Sequence, residues 1–249
     1  MIPILQVDTL YGGYIPRKPV LHDITFALRP GEMIGLIGLN GAGKSTTIKH
    51  ILGLLHPQKG TIRINGLTLK ESPLPYRAAY AYVPESPELY EELTIKEHLE
   101  LTALAYGLSK DVYTARSDAL LAEFQMKDKL NSFSSHLSKG MKQKVMIMNA
   151  FLIEPSLYII DEPFLGLDPL AIRSLLELMV RMKRKGASFL ISSHILSTIE
   201  KYCDRYVVLH RGHIAAQGDL DEIRLQTGLP GASLDDLFYS LVQDEGGAT

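Results

Sequence analysis

Apolar residues along this chain recur at two periods, and the change from one to the other divides it. Near the N-terminus the period is two. Leu5 to Val7 and His22 to Leu28, where Ile24, Phe26 and Leu28 alternate with polar neighbours, predict half-buried strands. The unbroken run Met33 to Ile37 predicts a fully buried strand, and a helix-forming stretch from Gly43 to about Leu54 follows. Ile62 to Leu69 alternates around Asn65-Gly66, a dipeptide that takes positive φ at both central positions of a tight turn, so a two-stranded hairpin is expected there. The first quarter therefore reads as mostly antiparallel sheet, with the loop after Ile37 rising from it. Ala79 to Val83 predicts one more strand, stopped by Pro84.

Beyond Pro84 the period lengthens to that of a helix. Thr94-Ile95-Lys96-Glu97 is a capping box that starts a helix reaching about Tyr106 and stopped at Gly107. A second helix is expected from Lys110 to about Met126, with Val112, Ala115, Ala119, Leu120 and Phe124 on its apolar face. A third follows Ser138 and carries Met141, Val145, Met148 and Leu152 at helical spacing, the methionines as core filling. After Pro155 strand and helix alternate again. Leu157 to Ile160 is a short buried strand ending in Asp161-Glu162-Pro163, and Leu170 to Lys185 is an amphipathic helix. Ser188 to Ser192 is a strand, Leu196 to Tyr202 a helix, His210 to His213 the turn of a strand pair, and two short helices end the chain. The pattern predicts a core from residues 1–84 and 155–218, a helical insert at 85–154, and a short helical tail at 219–249.

Composition narrows the classes. At 249 residues with 46% hydrophobic side chains the chain can bury a substantial core. Its net charge of −2, from 26 basic and 28 acidic residues, supplies no global attraction to nucleic acid or anionic lipid, and no nucleic-acid partner is expected. The basic run Arg181, Lys183, Arg184 and Lys185 closes a helix, where cations are favourable, and reads as a solvated end. The single cysteine, Cys203, cannot form an intramolecular disulfide and reads as a small core residue. No signal peptide is expected from Met1-Ile2-Pro3-Ile4. The longest apolar run, Val145 to Ile153, is interrupted by Asn149 and has about half the length that a bilayer requires.

The candidate chemistry starts at Gly38-Leu39-Asn40-Gly41-Ala42-Gly43-Lys44-Ser45-Thr46, which fits G-x-x-x-x-G-K-[ST] between a predicted strand and a predicted helix. Glycines let the backbone turn its N–H groups inward, and the following helix presents its positive end to an anion. Lys44 would reach the terminal phosphates of a nucleotide, and the Ser45 hydroxyl would coordinate Mg²⁺. Gly38, Asp161 and His194 all follow the carboxyl ends of predicted strands, where ligands of such sheets bind. Asp161 and Glu162 are adjacent and so face opposite ways. Asp161 can hold Mg²⁺ while Glu162 polarises a water for attack on the γ-phosphate, and His194 can sense that phosphate and hold the water. Tyr14 or Tyr11 could stack on a nucleobase; the other reading of each is a tyrosine packed within the hairpin.

In order and spacing these pieces resemble the nucleotide-binding subunit of ATP-binding cassette transporters, over residues from about 4 to 218. Leu137-Ser138-Lys139-Gly140-Met141-Lys142-Gln143 resembles that family's signature segment, Leu165-Gly166-Leu167-Asp168 its D-loop, and His194 its switch histidine. The resemblance implies an α/β P-loop NTPase core with an N-terminal antiparallel β subdomain and an inserted α-helical subdomain. It implies ATP and Mg²⁺ as cofactors, with Gly38, Asn40, Gly41, Gly43, Lys44, Ser45 and Thr46 on the nucleotide and Tyr14 as the adenine-stacking aromatic. Two copies would face each other head to tail, so that Ser138 and Gly140 cap the γ-phosphate held by the opposite copy and Asp168 crosses the interface. A separate integral membrane subunit would do the transport and hold this chain at the inner face of the membrane, with residues from Glu85 to about Leu101 as its docking surface. Glu85 stands where the family's metal- or water-contacting glutamine is usual, and Lys139 and Met141 replace a glycine and a glutamine, as in exporter-type members. Regulation of a membrane protein without transport, or a nucleotide-gated role in DNA repair or translation, are the alternatives. The second would normally bring a coiled coil or tandem cassettes, and this chain has neither.

Overall fold

The computed structural model describes residues 2–243, so the last part of the expected C-terminal tail, 244–249, lies outside the described residues. In chain order the elements are β1 (Leu5–Gly12), β2 (Leu21–Leu28), β3 (Met33–Ile37), α1 (Lys44–Ile51), β4 (Lys59–Ile64), α2 (Pro73–Ala78), β5 (Tyr80–Val83), α3 (Ile95–Ala105), α4 (Lys110–Glu123), α5 (Lys139–Ile153), β6 (Leu157–Asp161), α6 (Pro169–Arg184), β7 (Ser188–Ser192), α7 (Leu196–Tyr202), β8 (Arg205–His210), β9 (His213–Gly218), α8 (Leu220–Thr227) and α9 (Leu234–Gln243). The backbone divides into two compact units. One comprises the residues up to Ala79 together with those from Ser188 onward, and the other is Tyr80–Ala187.

In the first unit β1 pairs antiparallel with β2 on one side and β4 on the other. Leu5, Val7 and Leu10 on β1 are buried, as are Ile24, Phe26 and Leu28 on β2, so the alternation in the sequence maps onto one covered face. β3 does not belong to that sheet. It lies between β7 and β8, parallel to both, and β9 returns antiparallel along β8. The phosphate loop therefore rises from a parallel strand, not from the antiparallel layer that the first quarter suggested. The physical sign is in the residues: all five positions of β3 and all five of β7 are buried, which is the pattern of a strand covered on both faces.

The expected hairpin at Asn65-Gly66 is half formed. Both residues have positive φ, 51° and 77°, and Ile64 and Leu67 exchange backbone hydrogen bonds at 2.9 Å. The second arm stops at that single bridge, because the chain turns into α2, an element that the two prolines Pro73 and Pro75 conceal. Proline is tolerated in a first helical turn. The buried Tyr76 ties α2 down by donating its hydroxyl to the Ile51 carbonyl at 2.7 Å.

In the second unit β5 and β6 run parallel. The capping box of α3 is present, with Thr94 N–H donating to Glu97 Oε2 at 2.7 Å and Glu97 N–H to Thr94 Oγ1 at 3.2 Å. On α4 the buried residues are Ser117, Leu120 and Leu121, with Phe124 just beyond, while Val112, Ala115 and Ala119 are exposed. The face turned because Arg116 docks on the end of α5, donating to the carbonyls of Leu152 and Ile153 at 2.9 and 3.1 Å and pairing with Glu154 at 3.1 Å. A cation there satisfies carbonyls that a helix C-terminus leaves open. The basic end of α6 is not wholly solvated either, since Arg181 pairs with Glu123 at 2.6 Å and Lys185 with Glu154 at 3.1 Å. No helix among the described residues is long and apolar enough to cross a membrane.

Candidate functional site

In the first unit the loop between β3 and α1 holds two glycines, Gly38 and Gly43, at which an added β-carbon would press on a neighbour. A β-carbon on Gly38 would lie 2.5 Å from the Leu209 carbonyl oxygen of β8, and Gly43 has a φ of 113° with its α-carbon facing Leu21. Ala42 N–H closes the turn on Leu39 O at 3.0 Å, and Ala42 O accepts from Gly212 N–H at 3.0 Å, so the β8–β9 turn braces the loop from outside. Lys44 is 8% exposed. Its ammonium folds back over the loop and donates to the carbonyls of Gly38 at 2.8 Å and Leu39 at 3.4 Å. Ser45 is half-buried and Thr46 buried on the first turn of α1, while Asn40 and Gly41 are exposed on the rim. Such a loop suits an anion, with a helix N-terminus behind it and the Lys44 cation over it.

Tyr14 and Tyr11 part company. Tyr11 is packed in the sheet, edge-on to His22 with the Lys59 ammonium over its ring. Tyr14 is 55% exposed beside α1, its hydroxyl 3.5 Å from Thr46 Oγ1 and 3.4 Å from Lys49 Nζ, with that ammonium 5.1 Å from the ring centroid. The hydrogen bond with Thr46, and then the bond and charge of Lys49, hold its phenol below the usual value. Lys49 went unnoticed in the sequence, although it lies one helical turn after Ser45 and so shares its face. His194 is exposed, just past the end of β7. Since β3 and β7 are parallel neighbours, His194 and Gly38 leave the sheet at the same edge.

The second unit carries the carboxylates. β5 and β6 run in register, Val83 opposite Ile160, so Glu85, Asp161 and Glu162 also leave one edge together. Asp161 and Glu162 are 5% and 9% exposed, and Glu85 is exposed. Glu162 has a φ of 47°, a conformation that costs a non-glycine residue about 1–3 kcal/mol and is usually retained only where a side chain must be aimed. Tyr82, on β5 three residues before Glu85, has its phenol pushed up by burial and then by the charges of Asp161, Glu85 and Glu88. Asp161 and Glu85 offer hard carboxylate oxygens of the kind that Mg²⁺ takes, but among the described residues no group of three or more His, Cys, Asp or Glu side chains is arranged to hold a metal ion by itself.

Ser138 caps α5, accepting from Met141 N–H at 3.3 Å, with Ser138 and Lys139 exposed. Asp168 caps α6, its Oδ1 accepting from Ala171 N–H at 2.9 Å. Two neighbours on α5, Gln143 at the end of the signature segment and Lys144, which the sequence did not single out, reach the functional loops. Gln143 donates to the Pro84 carbonyl at 3.2 Å, and Lys144 Nζ lies 2.8 Å from Asp168 Oδ2. The visible signal was the polar run Lys142 to Lys144 in a helix whose inner face is otherwise apolar.

A family model described as ABC transporter matches residues 21–165. The chain is similar to the ABC-type transporter ATP-binding protein EcsA of Bacillus subtilis (strain 168), with 58% identity over 244 residues and 98% of each chain covered. It is also 33% identical to the Nod factor export ATP-binding protein I of Burkholderia orbicola, over 87% of this chain and 70% of that one. A solved structure described as the ATP binding subunit of an ABC transporter superposes with a TM-score of 0.93 at 60% identity, over 96% of this chain and 99% of that chain.

Proposed function

The chain belongs to the ABC transporter family as one of its ATP-binding subunits, and from that premise we propose how its own residues bind and hydrolyse ATP and what they drive. The observation that carries the proposal is the Lys44 ammonium lying on the Gly38 carbonyl of the loop between β3 and α1. A carbonyl is a weak partner for that cation, and the terminal phosphates of ATP replace it with a charge-assisted contact. Gly38, Asn40, Gly41 and Gly43 let the loop follow the phosphates, and Thr46 adds a hydroxyl donor. Tyr14 stacks on the adenine. Ser45 and Asp161, with Glu85 as the further carboxylate, would hold Mg²⁺, which would supply positive charge against the phosphate oxygens. Glu162 accepts a proton from the attacking water, and His194 orients that water on the γ-phosphate.

ABC ATP-binding subunits dimerise and work with membrane transporter subunits. Here the proposed dimer is of two copies of this chain. Ser138 and the amide of Gly140, at the N-terminus of α5, close on the γ-phosphate carried by the other copy, and Asp168 crosses to it. ATP binding closes the dimer and hydrolysis reopens it. The likeness to EcsA supports a membrane subunit resembling EcsB. The likeness to a Nod factor export protein, with Lys139 and Met141 in the signature segment, supports export. The chain then acts at the inner membrane face through that partner, which docks on the exposed residues between Glu85 and Leu101.

Glu162→Gln tests the reading. It removes the proton acceptor and keeps the shape, so turnover should fall about 10²–10⁴-fold. Mg-ATP binding should persist, and ATP should shift the variant from monomer to dimer in sedimentation velocity. Normal turnover would refute the assignment of Glu162.

A further inference from the structure

Asp168 is held by more than its own helix. Its Oδ1 is taken by the N-cap bond from Ala171, and its Oδ2 by the Lys144 ammonium at 2.8 Å. The Lys144 side chain is only 14% exposed, whereas that of Asp168 is 51% exposed, so the carboxylate stays accessible to a further partner although each of its two oxygens already holds one contact. Lys144 and then the Ala171 amide hold the Asp168 carboxyl below the usual carboxylate range, which keeps it ionised. A second contact joins the same two segments. A β-carbon on Gly140 would lie 2.5 Å from the Gly166 carbonyl oxygen, so the first turn of α5 lies directly against the backbone of the 165–168 loop. Gly140 and Lys144 are four residues apart and share one face of the helix. The N-terminus of α5 and the Asp168 loop are thus fastened at two points along one line.

We propose that Lys144 is a positioning residue for the dimer, fixing the Asp168 loop to α5 so that Ser138, Gly140 and Asp168 are presented to the second copy as one rigid surface. The inference rests on the dimer reading above. Ordering a long side chain costs entropy, and an exposed pair seldom repays it; a nearly buried lysine on a carboxylate already fixed by its cap does so because that partner is preorganised. If Lys144 merely stabilised the start of α6, its loss would lower the melting temperature without touching association.

The test uses the full chain carrying Glu162→Gln. Lys144→Met keeps the stem and removes the charge. It should leave the affinity of the monomer for Mg-ATP within about twofold and raise the monomer–dimer dissociation constant about tenfold, the size of one charge-assisted hydrogen bond. Lys144→Arg should restore association to within about threefold of the parent, since a guanidinium also pairs with a carboxylate. With Glu162 intact, Lys144→Met should lower kcat and leave KM. Adding Lys144→Met to Asp168→Asn should cost little beyond Asp168→Asn alone, because the lysine contact is already lost there. Association of Lys144→Met as tight as the parent's, or losses that simply add, would overturn the inference. So would an Lys144→Arg variant that melts with the parent yet associates no better than Lys144→Met. A Glu162→Gln parent that fails to dimerise at all would instead overturn the dimer reading on which this inference stands.

Discussion

Gly38→Ala puts the smallest side chain where the phosphate loop leaves β3. The new β-carbon would lie 2.5 Å from the Leu209 carbonyl oxygen and 3.0 Å from the β-carbon of Ala42, against an ordinary contact that begins near 3.4 Å. The shortfall toward Leu209 is therefore 3.4 − 2.5 = 0.9 Å. Leu209 has little room to turn its carbonyl away, because β8 pairs with β3 through Ile37 opposite Val208 and with β9 through Leu209 opposite Ile214, with a register shift between Val208 and Leu209. Overpacking of this kind costs about 1–3 kcal/mol, and the stiffer unfolded chain returns about 0.4–1 kcal/mol. A net loss of about 1–2 kcal/mol should lower the melting temperature by roughly 2–8 °C in a chain of this size. The strain falls on the residue whose carbonyl now receives Lys44, so the loop amides shift and Mg-ATP affinity falls with stability. Gly41→Ala is the control. Gly41 has nothing within 4 Å but a φ of 82°, so its alanine meets conformational strain and no collision. Thermal melts followed by circular dichroism, with calorimetric Mg-ATP titration, measure both. A Gly38→Ala chain that melts with the parent and binds nucleotide equally well would show that β8 yields, and the steric account of this glycine would be wrong.

Tyr14→Phe should keep Mg-ATP affinity within about twofold, because the hydroxyl contacts are long, whereas Tyr14→Ala should lose about 0.5–1.5 kcal/mol of stacking; equal affinities for both variants by calorimetry would remove Tyr14 from the site. His50 is 2% exposed with Nδ1 3.0 Å from the Leu55 carbonyl, and burial holds its pKa below the usual 6.5. The unfolded chain then binds more protons, so its contribution to stability is present above about pH 6.5 and declines as pH falls toward the lowered folded value. Urea unfolding of the parent and of His50→Gln between about pH 8 and pH 5.5 should show a steeper decline in the parent, and parallel curves would refute this. Glu88, Glu91 and Glu92 are exposed on a segment that His98 fixes by accepting from Tyr90 N–H at 3.0 Å. Reversing all three charges should abolish co-purification with the membrane subunit and leave Mg-ATP binding unchanged; an intact complex would place the docking surface elsewhere.

Local rules made most of the elements legible. The continuous burial of β3 and β7, the capping box at Thr94 and Glu97, and the phosphate loop between strand and helix are each decided within about ten residues, so sequence spacing reports them directly. What was misread depends on distant partners. β3 joins strands that lie more than 150 residues later in the chain, α2 forms against its prolines because Tyr76 is drawn to Ile51, and α4 turned its face because Arg116 found the end of α5. The alanines of α4 permit either face, so periodicity alone could not choose.

The same distinction runs through the site. Lys44, Asp161 and Glu162 sit in short motifs whose spacing encodes their task, but nothing local tells Lys144 apart from any polar residue on a helix surface, and the segment that ends at Gln143 does not say what that side chain touches. Consecutive helical residues point about 100° apart. On α5 that angle sends one side chain to the Pro84 carbonyl, beside Glu85, and the next to the carboxylate of Asp168. A helix that begins at a predicted anion site thus grips two loops with predicted catalytic roles, and a displacement of α5 cannot leave both of them where they are. The role of such residues is set by the direction in which a helix turns and not by a chemistry that a motif can name.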